Sequence, residues 1–120
     1  MRNKKNNRIL GRTANQRLHL MRNLTSSLLA HGSIVTTEAK AKELRRHFEP
    51  LVTKAKGEIS LTKRRTIISA LSDKAELGLL LDLAKANEKR PGGYLRITKL
   101  PITRTDAASM ARVDIVEQPK

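Results

Sequence analysis

Phe48 and Tyr94 are the only aromatic side chains in 120 residues, so any core this chain builds must be assembled from Leu, Ile, Val and Ala. A single domain of this length withdraws roughly 65% of its unfolded surface from water. With an aliphatic core, that makes a modest domain, of a kind whose structure a binding partner completes.

Charge gives the sign of that partner. Lys and Arg number 25 against 11 Asp and Glu, for a net charge of +14, and a field of that sign draws polyanions. The cations are also unevenly placed. Arg2, Lys4, Lys5, Arg8, Arg12, Arg17 and Arg22 all precede the first acidic residue, Glu38. No carboxylate competes for them locally, and each one that meets a phosphate releases condensed counterions, which gives affinity for nucleic acid whatever its sequence. Residues 1–11 include Asn3, Asn6 and Asn7, with only Ile9 and Leu10 as sizeable apolar groups after the initial Met. That stretch cannot bury enough surface to order itself. Residues 1–12 are therefore predicted to be a basic, disordered arm that takes shape on nucleic acid, ahead of one domain spanning 13–120.

Membrane surfaces are the competing polyanion, yet nothing here is long or apolar enough to span a bilayer, and residues 1–11 lack the apolar stretch of a signal peptide. The expected compartment is the cytoplasm. With no cysteine, disulfides, thiolate metal sites and cysteine nucleophiles are excluded together.

Thr13 and Gln16 stand at capping-box spacing and predict a helix from there to Gly32, whose tolerance of positive φ suits the residue after a helix end. Leu18, Met21, Leu24, Thr25, Leu28 and Leu29 share one arc of that helix. Arg17 and Arg22 flank an uncharged polar arc of Asn15, His19, Asn23 and Ser26, an arrangement suited to lying along a phosphate backbone. Ser33 to Thr37 is short and β-branched and predicts a strand, with Thr37 as the N-cap of a second helix. The second helix sets Ala41, Leu44, Phe48, Leu51, Val52 and Ala55 on one face and Lys42, Arg45, Arg46 and Lys56 on the other. Pro50 predicts a kink or a break near Phe48. Glu38 and Glu43 pair locally, which makes this helix a weaker binder than the arm.

A short third helix, about 61–71, carries Lys63, Arg64 and Arg65; Ser72 and Asp73 are predicted to cap a fourth reaching about Asn87. Leu77, Leu80, Leu81 and Ala84 form its core stripe, widened by Leu79 and Leu83. Arg90, Pro91, Gly92 and Gly93 end the helical pattern and lead into alternating strands at 94–99 and 111–116, joined by a loop. Glycines let a backbone approach another surface closely, so Arg90, Gly92, Gly93, Tyr94, Arg96, Lys99 and Arg104 form a second candidate nucleic-acid contact. Tyr94 suits either stacking on a base or the core. The predicted order is α-β-α-α-α-β-β, an α+β domain with a small three-stranded sheet packed against helices.

Six runs carry a resemblance. L-G-R-T at 10–13, R-N-L at 22–24, T-T-x-A-K-A-K-E-L-R across 36–45, E-P-L-V-T-K-A-K across 49–56, R-R at 64 and 65, and R-P-G-G-Y-L-R-I across 90–97 resemble the bacterial large-subunit ribosomal protein L17 family. The similarity covers essentially the full chain in order and spacing. It implies a structural component of the large ribosomal subunit, bound to large-subunit ribosomal RNA near the rim of the polypeptide exit tunnel beside other ribosomal proteins. The arm and the glycine-tyrosine region would be RNA contacts, joined by Lys40, Arg64 and Arg65 within the matching runs, with Arg64 and Arg65 open to either RNA or solvent.

Other functions fare less well. His19, His31 and His47 have no metal-ligand grouping, Gly92 and Gly93 precede a strand and not a helix as a phosphate-binding loop requires, and no catalytic constellation occurs. No enzyme, cofactor or small-molecule substrate is expected. A helix-turn-helix reading around Ser72 and Asp73 places Asp73, Glu76 and Asp82 on the would-be recognition helix, where their charge opposes a major groove.

Overall fold

The computed structural model describes residues 7–101 and 104–116. Along them run α1 (Ala14–His31), β1 (Ser33–Thr37), α2 (Glu38–Ala55), α3 (Leu61–Ala70), α4 (Glu76–Ala86), β2 (Leu95–Lys99) and β3 (Met110–Ile115).

Local chemistry sets both ends of α1. The Gln16 N–H donates to Thr13 Oγ1 at 3.3 Å while the Thr13 N–H donates to Gln16 Oε1 at 3.1 Å, so the capping box is closed from both sides. At the other end Gly32 is left-handed, with φ 76°, and returns its N–H to the Leu28 carbonyl. The Gly32 carbonyl then accepts from Ile115, which joins the helix end to β3.

Both β1 and β2 pair antiparallel with β3, giving the order β1-β3-β2. Ile34 and Ile97 oppose Val113 from either side, and Leu95 opposes Ile115. Period-two alternation therefore collects Ala111, Val113, Ile115, Leu95, Ile97 and Ile34 on one face, and leaves Val35, Arg96 and Arg112 exposed on the other. One face is dry and one wet, as an antiparallel sheet allows.

The dry face meets α2, which packs against every other element. All six residues of its predicted apolar face are buried, with Ala41, Leu44, Phe48 and Val52 at 0% exposure. Burying a Leu or Phe side chain contributes about 1.5–3 kcal/mol, so this stripe is the principal cohesive surface of the domain. Of the kink or break expected at Pro50, the break does not occur, and α2 continues from Glu38 to Ala55. The ring costs one backbone bond, but Phe48 on one side and Leu51 and Val52 on the other are all anchored in the core.

Two further boundaries differ from expectation. Thr37 stands at the N-cap of α2 without a side-chain cap bond; the Glu38 N–H donates instead to the Ser109 carbonyl at 2.9 Å. α4 begins at Glu76, later than the Ser72–Asp73 cap implied, because Asp73 Oδ1 accepts from the Ala75 N–H in a local turn and the Ser72 hydroxyl turns to Glu76. Within α4, Leu83 is buried while Leu79 stays 46% exposed.

Candidate nucleic-acid interface

Among the described residues, most of the candidate cations have partners of their own. Arg2, Lys4 and Lys5 lie outside the described residues. Arg8 does not belong to a free tail: its Nη1 lies 3.3 Å from Glu43 Oε2 on α2, and its backbone N–H donates to the same oxygen. A turn follows, in which the Arg12 N–H donates to Ile9, Leu10 and Gly11 both have positive φ, and Arg12 Nη1 donates to the Leu10 carbonyl. The stretch 7–11, expected to be unstructured, is thus folded against α2. The sequence pattern missed this because the acid that holds it is 35 residues away.

Arg17 Nη1 donates to the Arg12 carbonyl and so ties that turn to α1. Arg22 is committed elsewhere than the expected phosphate row: Nη2 donates to the Ser69 carbonyl at 2.6 Å, serving the C-terminal end of α3. Beside it, half-buried His47 has its pKa held below the ordinary value. Burial is the largest cause and the Arg22 charge adds to it, against a hydrogen bond to the Ala70 backbone and the charge of Glu43.

At the start of α2, Glu38 sits between Lys42 of its own helix, 3.1 Å away, and Lys99 of β2, 3.6 Å away. The hydrogen bond and charge of Lys42, followed by the charge of Lys99, hold the carboxyl below its usual range. Lys40 is half-buried one turn into the same helix. Arg104 pairs with Asp106 at 2.9 Å. Arg96 stands exposed on the wet face of the sheet, and Arg64 and Arg65 are both exposed on α3.

Tyr94 settles its open alternative in favour of the core. It is fully buried, so its ring offers no face for a base. Strand alternation from Arg96 would have placed it on the wet face, but it precedes β2 and follows Gly93, whose φ of 65° turns the chain inward. Its hydroxyl meets Thr53 Oγ1 at 3.2 Å and donates to the Arg90 carbonyl at 3.3 Å. Lys56 Nζ lies 4.7 Å from the ring centroid and donates to the same Arg90 carbonyl. Burial raises the phenol's pKa, but the hydrogen bonds from Lys56 and Thr53 and the Lys56 charge outweigh it and leave it below the ordinary value. Tyr94 and Lys56 together pin the turn at 90–93 to the end of α2.

That pinning creates a feature the sequence reading passed over. A groove of about 660 Å³ runs between α2 and the turn, with Arg45, Arg46 and Lys54 on the helix side and Pro91 and Gly92 opposite. In sequence, local pairing by Glu38 and Glu43 makes α2 a weaker binder than the arm. In space the acids sit lower than the bases: the Glu43 side chain is 14% exposed against 40% for Arg8 and 41% for Arg46. The Arg45–Glu49 pair, 3.5 Å apart, has the same asymmetry. Half-exposed pairs of this sort contribute about 0–1 kcal/mol each, so they orient cations more than they consume them. Alternating Arg and Glu in the sequence carries no sign of that difference in depth.

Among the described residues no cluster of His, Cys, Asp or Glu is arranged to hold a metal ion, and no helix is long and apolar enough to cross a membrane. The family model for ribosomal protein L17 matches residues 20–116. The large ribosomal subunit protein bL17 of Gemmatimonas aurantiaca is 45% identical over 116 residues, an alignment covering 97% of this chain and 98% of that protein.

Proposed function

The chain belongs to the ribosomal protein L17 family, and on that premise we propose that it is a structural constituent of the large ribosomal subunit, binding large-subunit ribosomal RNA through backbone and shape contacts and supporting subunit assembly and translation. The near full-length identity to a large-subunit protein is the observation that carries this reading. The net charge of +14 supports it, since RNA is the polyanion such a subunit supplies. No reaction is assigned.

In this reading the contacts are cations meeting phosphate, with little base readout. Arg2, Lys4, Lys5 and Arg12 serve at the N-terminal end, with Arg8 at the point where that segment meets α2. Arg17 and Lys40 border the same region. Arg64 and Arg65 face RNA from α3, and Arg90, Gly92, Gly93, Arg96, Lys99 and Arg104 from the C-terminal part. Tyr94 and Arg22 act through the fold, not through direct contact. The location is the bacterial cytoplasm, within the subunit, beside neighbouring ribosomal proteins near the exit tunnel.

Sucrose-gradient fractionation of native extract tests the assignment. Co-migration with large subunits and complete ribosomes is expected; persistence with free small subunits or soluble protein alone overturns it. Deleting residues 1–12 is expected to weaken binding to large-subunit RNA and flatten its salt dependence.

A further inference from the structure

We infer that the groove between α2 and the turn at 90–93 seats one strand of RNA phosphate backbone. The inference rests on the RNA-binding reading above and extends its contact at 90–93 across to Arg45, Arg46 and Lys54 of α2.

The cations of the groove are already positioned. Arg45 Nε lies 3.5 Å from Glu49, and its Nη2 donates to the Leu95 carbonyl at 3.0 Å. A guanidinium has five donors in a fixed fork, so the two bonds hold the plane and leave donors for a phosphate. Arg46 Nη1 lies 3.8 Å from Glu43, an acid already engaged by Arg8. Lys54, one of the exposed residues on the same helix, adds a third positive group. Against these three stand Glu49, set lower than Arg45, and Glu43, which Arg46 shares with Arg8.

The opposite wall admits a backbone. Gly93 needs glycine for its φ of 65°, but Gly92 has no such requirement, and a Cβ built there meets nothing within 4 Å. Among the described residues nothing fills the space beside Gly92, which leaves room for an external backbone to pass close to it. Pro50 and Pro91 give the walls rigid surface without amide donors. The width is fixed from below, because buried Tyr94 and Lys56 both hold the Arg90 carbonyl. A shallow, open, cation-lined groove matches the repeating charge of a nucleic-acid strand.

The absence of cysteine makes the test direct, since any introduced thiol is unique. Full-length Lys54→Cys and Pro91→Cys proteins, each carrying tethered iron-EDTA, are bound to large-subunit ribosomal RNA and probed by hydroxyl-radical cleavage. Both are expected to cut the same short run of nucleotides, with Asp82→Cys on α4 cutting elsewhere. In parallel, Arg46→Gln/Lys54→Gln is expected to lower the slope of log K against log salt by about 1.4–1.8, at an unchanged melting temperature. Gly92→Leu is expected to weaken binding severalfold without altering that slope. If the two flanking probes cut disjoint runs or none, and the double variant binds with wild-type affinity and slope, the groove is not an RNA seat. Wild-type binding in the same experiment keeps that outcome separate from failure of the ribosomal reading, in which the unmodified protein binds no large-subunit RNA at all.

Discussion

Arg8 and Glu43, 35 residues apart in sequence, are joined twice, by the guanidinium at 3.3 Å and by the backbone N–H of Arg8 at 3.4 Å, both to Oε2. One carboxylate oxygen thus latches the N-terminal segment to the central helix. Glu43→Gln is expected to change global stability by only about 0.2–1 kcal/mol, because the pair lies at the surface with the arginine side chain 40% exposed. Tryptic cleavage after Arg8 and Arg12, followed by mass spectrometry, is expected to accelerate well beyond what that small loss produces. Cleavage at the wild-type rate means that the turn at residues 9–12 holds the segment without the latch.

The Tyr94 hydroxyl serves Thr53 and the Arg90 carbonyl in an interior site. Tyr94→Phe is expected to cost about 1 kcal/mol in urea unfolding, the net worth of a buried hydrogen bond. A neutral result would show that the Lys56 bond alone fixes the turn at 90–93.

Pro50 sits inside α2 with its ring exposed. An interior proline is less favourable than alanine by about 3 kcal/mol, partly offset by about 0.4–1 kcal/mol from its restriction of the unfolded chain. Pro50→Ala is therefore expected to raise the melting temperature, with the far-ultraviolet helical signal unchanged or larger. A lower melting temperature would mean that the ring contributes packing which alanine lacks.

His47 carries the pH dependence. Its folded-state pKa is depressed, so below the unfolded value of about 6.5 the unfolded chain binds a proton that the folded chain resists. The stability contribution is therefore fully present above that value and declines as pH falls from there toward the folded pKa. Urea unfolding at about pH 7.5 and about pH 5.5 is expected to show this decline, and His47→Gln to reduce it. An equal decline in the variant would assign it to the carboxylates.

Where one stretch of chain decides its own conformation, the sequence was legible. Thr13, Gln16 and Gly32 terminate α1 by bonds within one or two turns, and the six-residue apolar face of α2 follows from helical period alone. Features that depend on distant partners were not legible. Arg22 finds Ser69 across 47 residues, and Arg8 finds Glu43, although each looked unpaired in its own neighbourhood. Ser72 and Asp73 are good capping residues, and they satisfied nearby groups in a turn before the helix began. Glu38 and Glu43 mark the face of α2 that carries Arg45 and Arg46 as a weaker binder because pairing is visible in sequence and depth is not.

The strand that closes the sheet comes last along the chain and lies in its middle. Neither β1 nor β2 touches the other, so each lacks a strand partner until residues 110–115 have been synthesised. At about 5–20 residues per second, β1 waits on the order of ten seconds for its mate. β3 supplies the pairing edge of both outer strands, so the register that sets Ile34 and Ile97 on either side of Val113 exists only once it is in place.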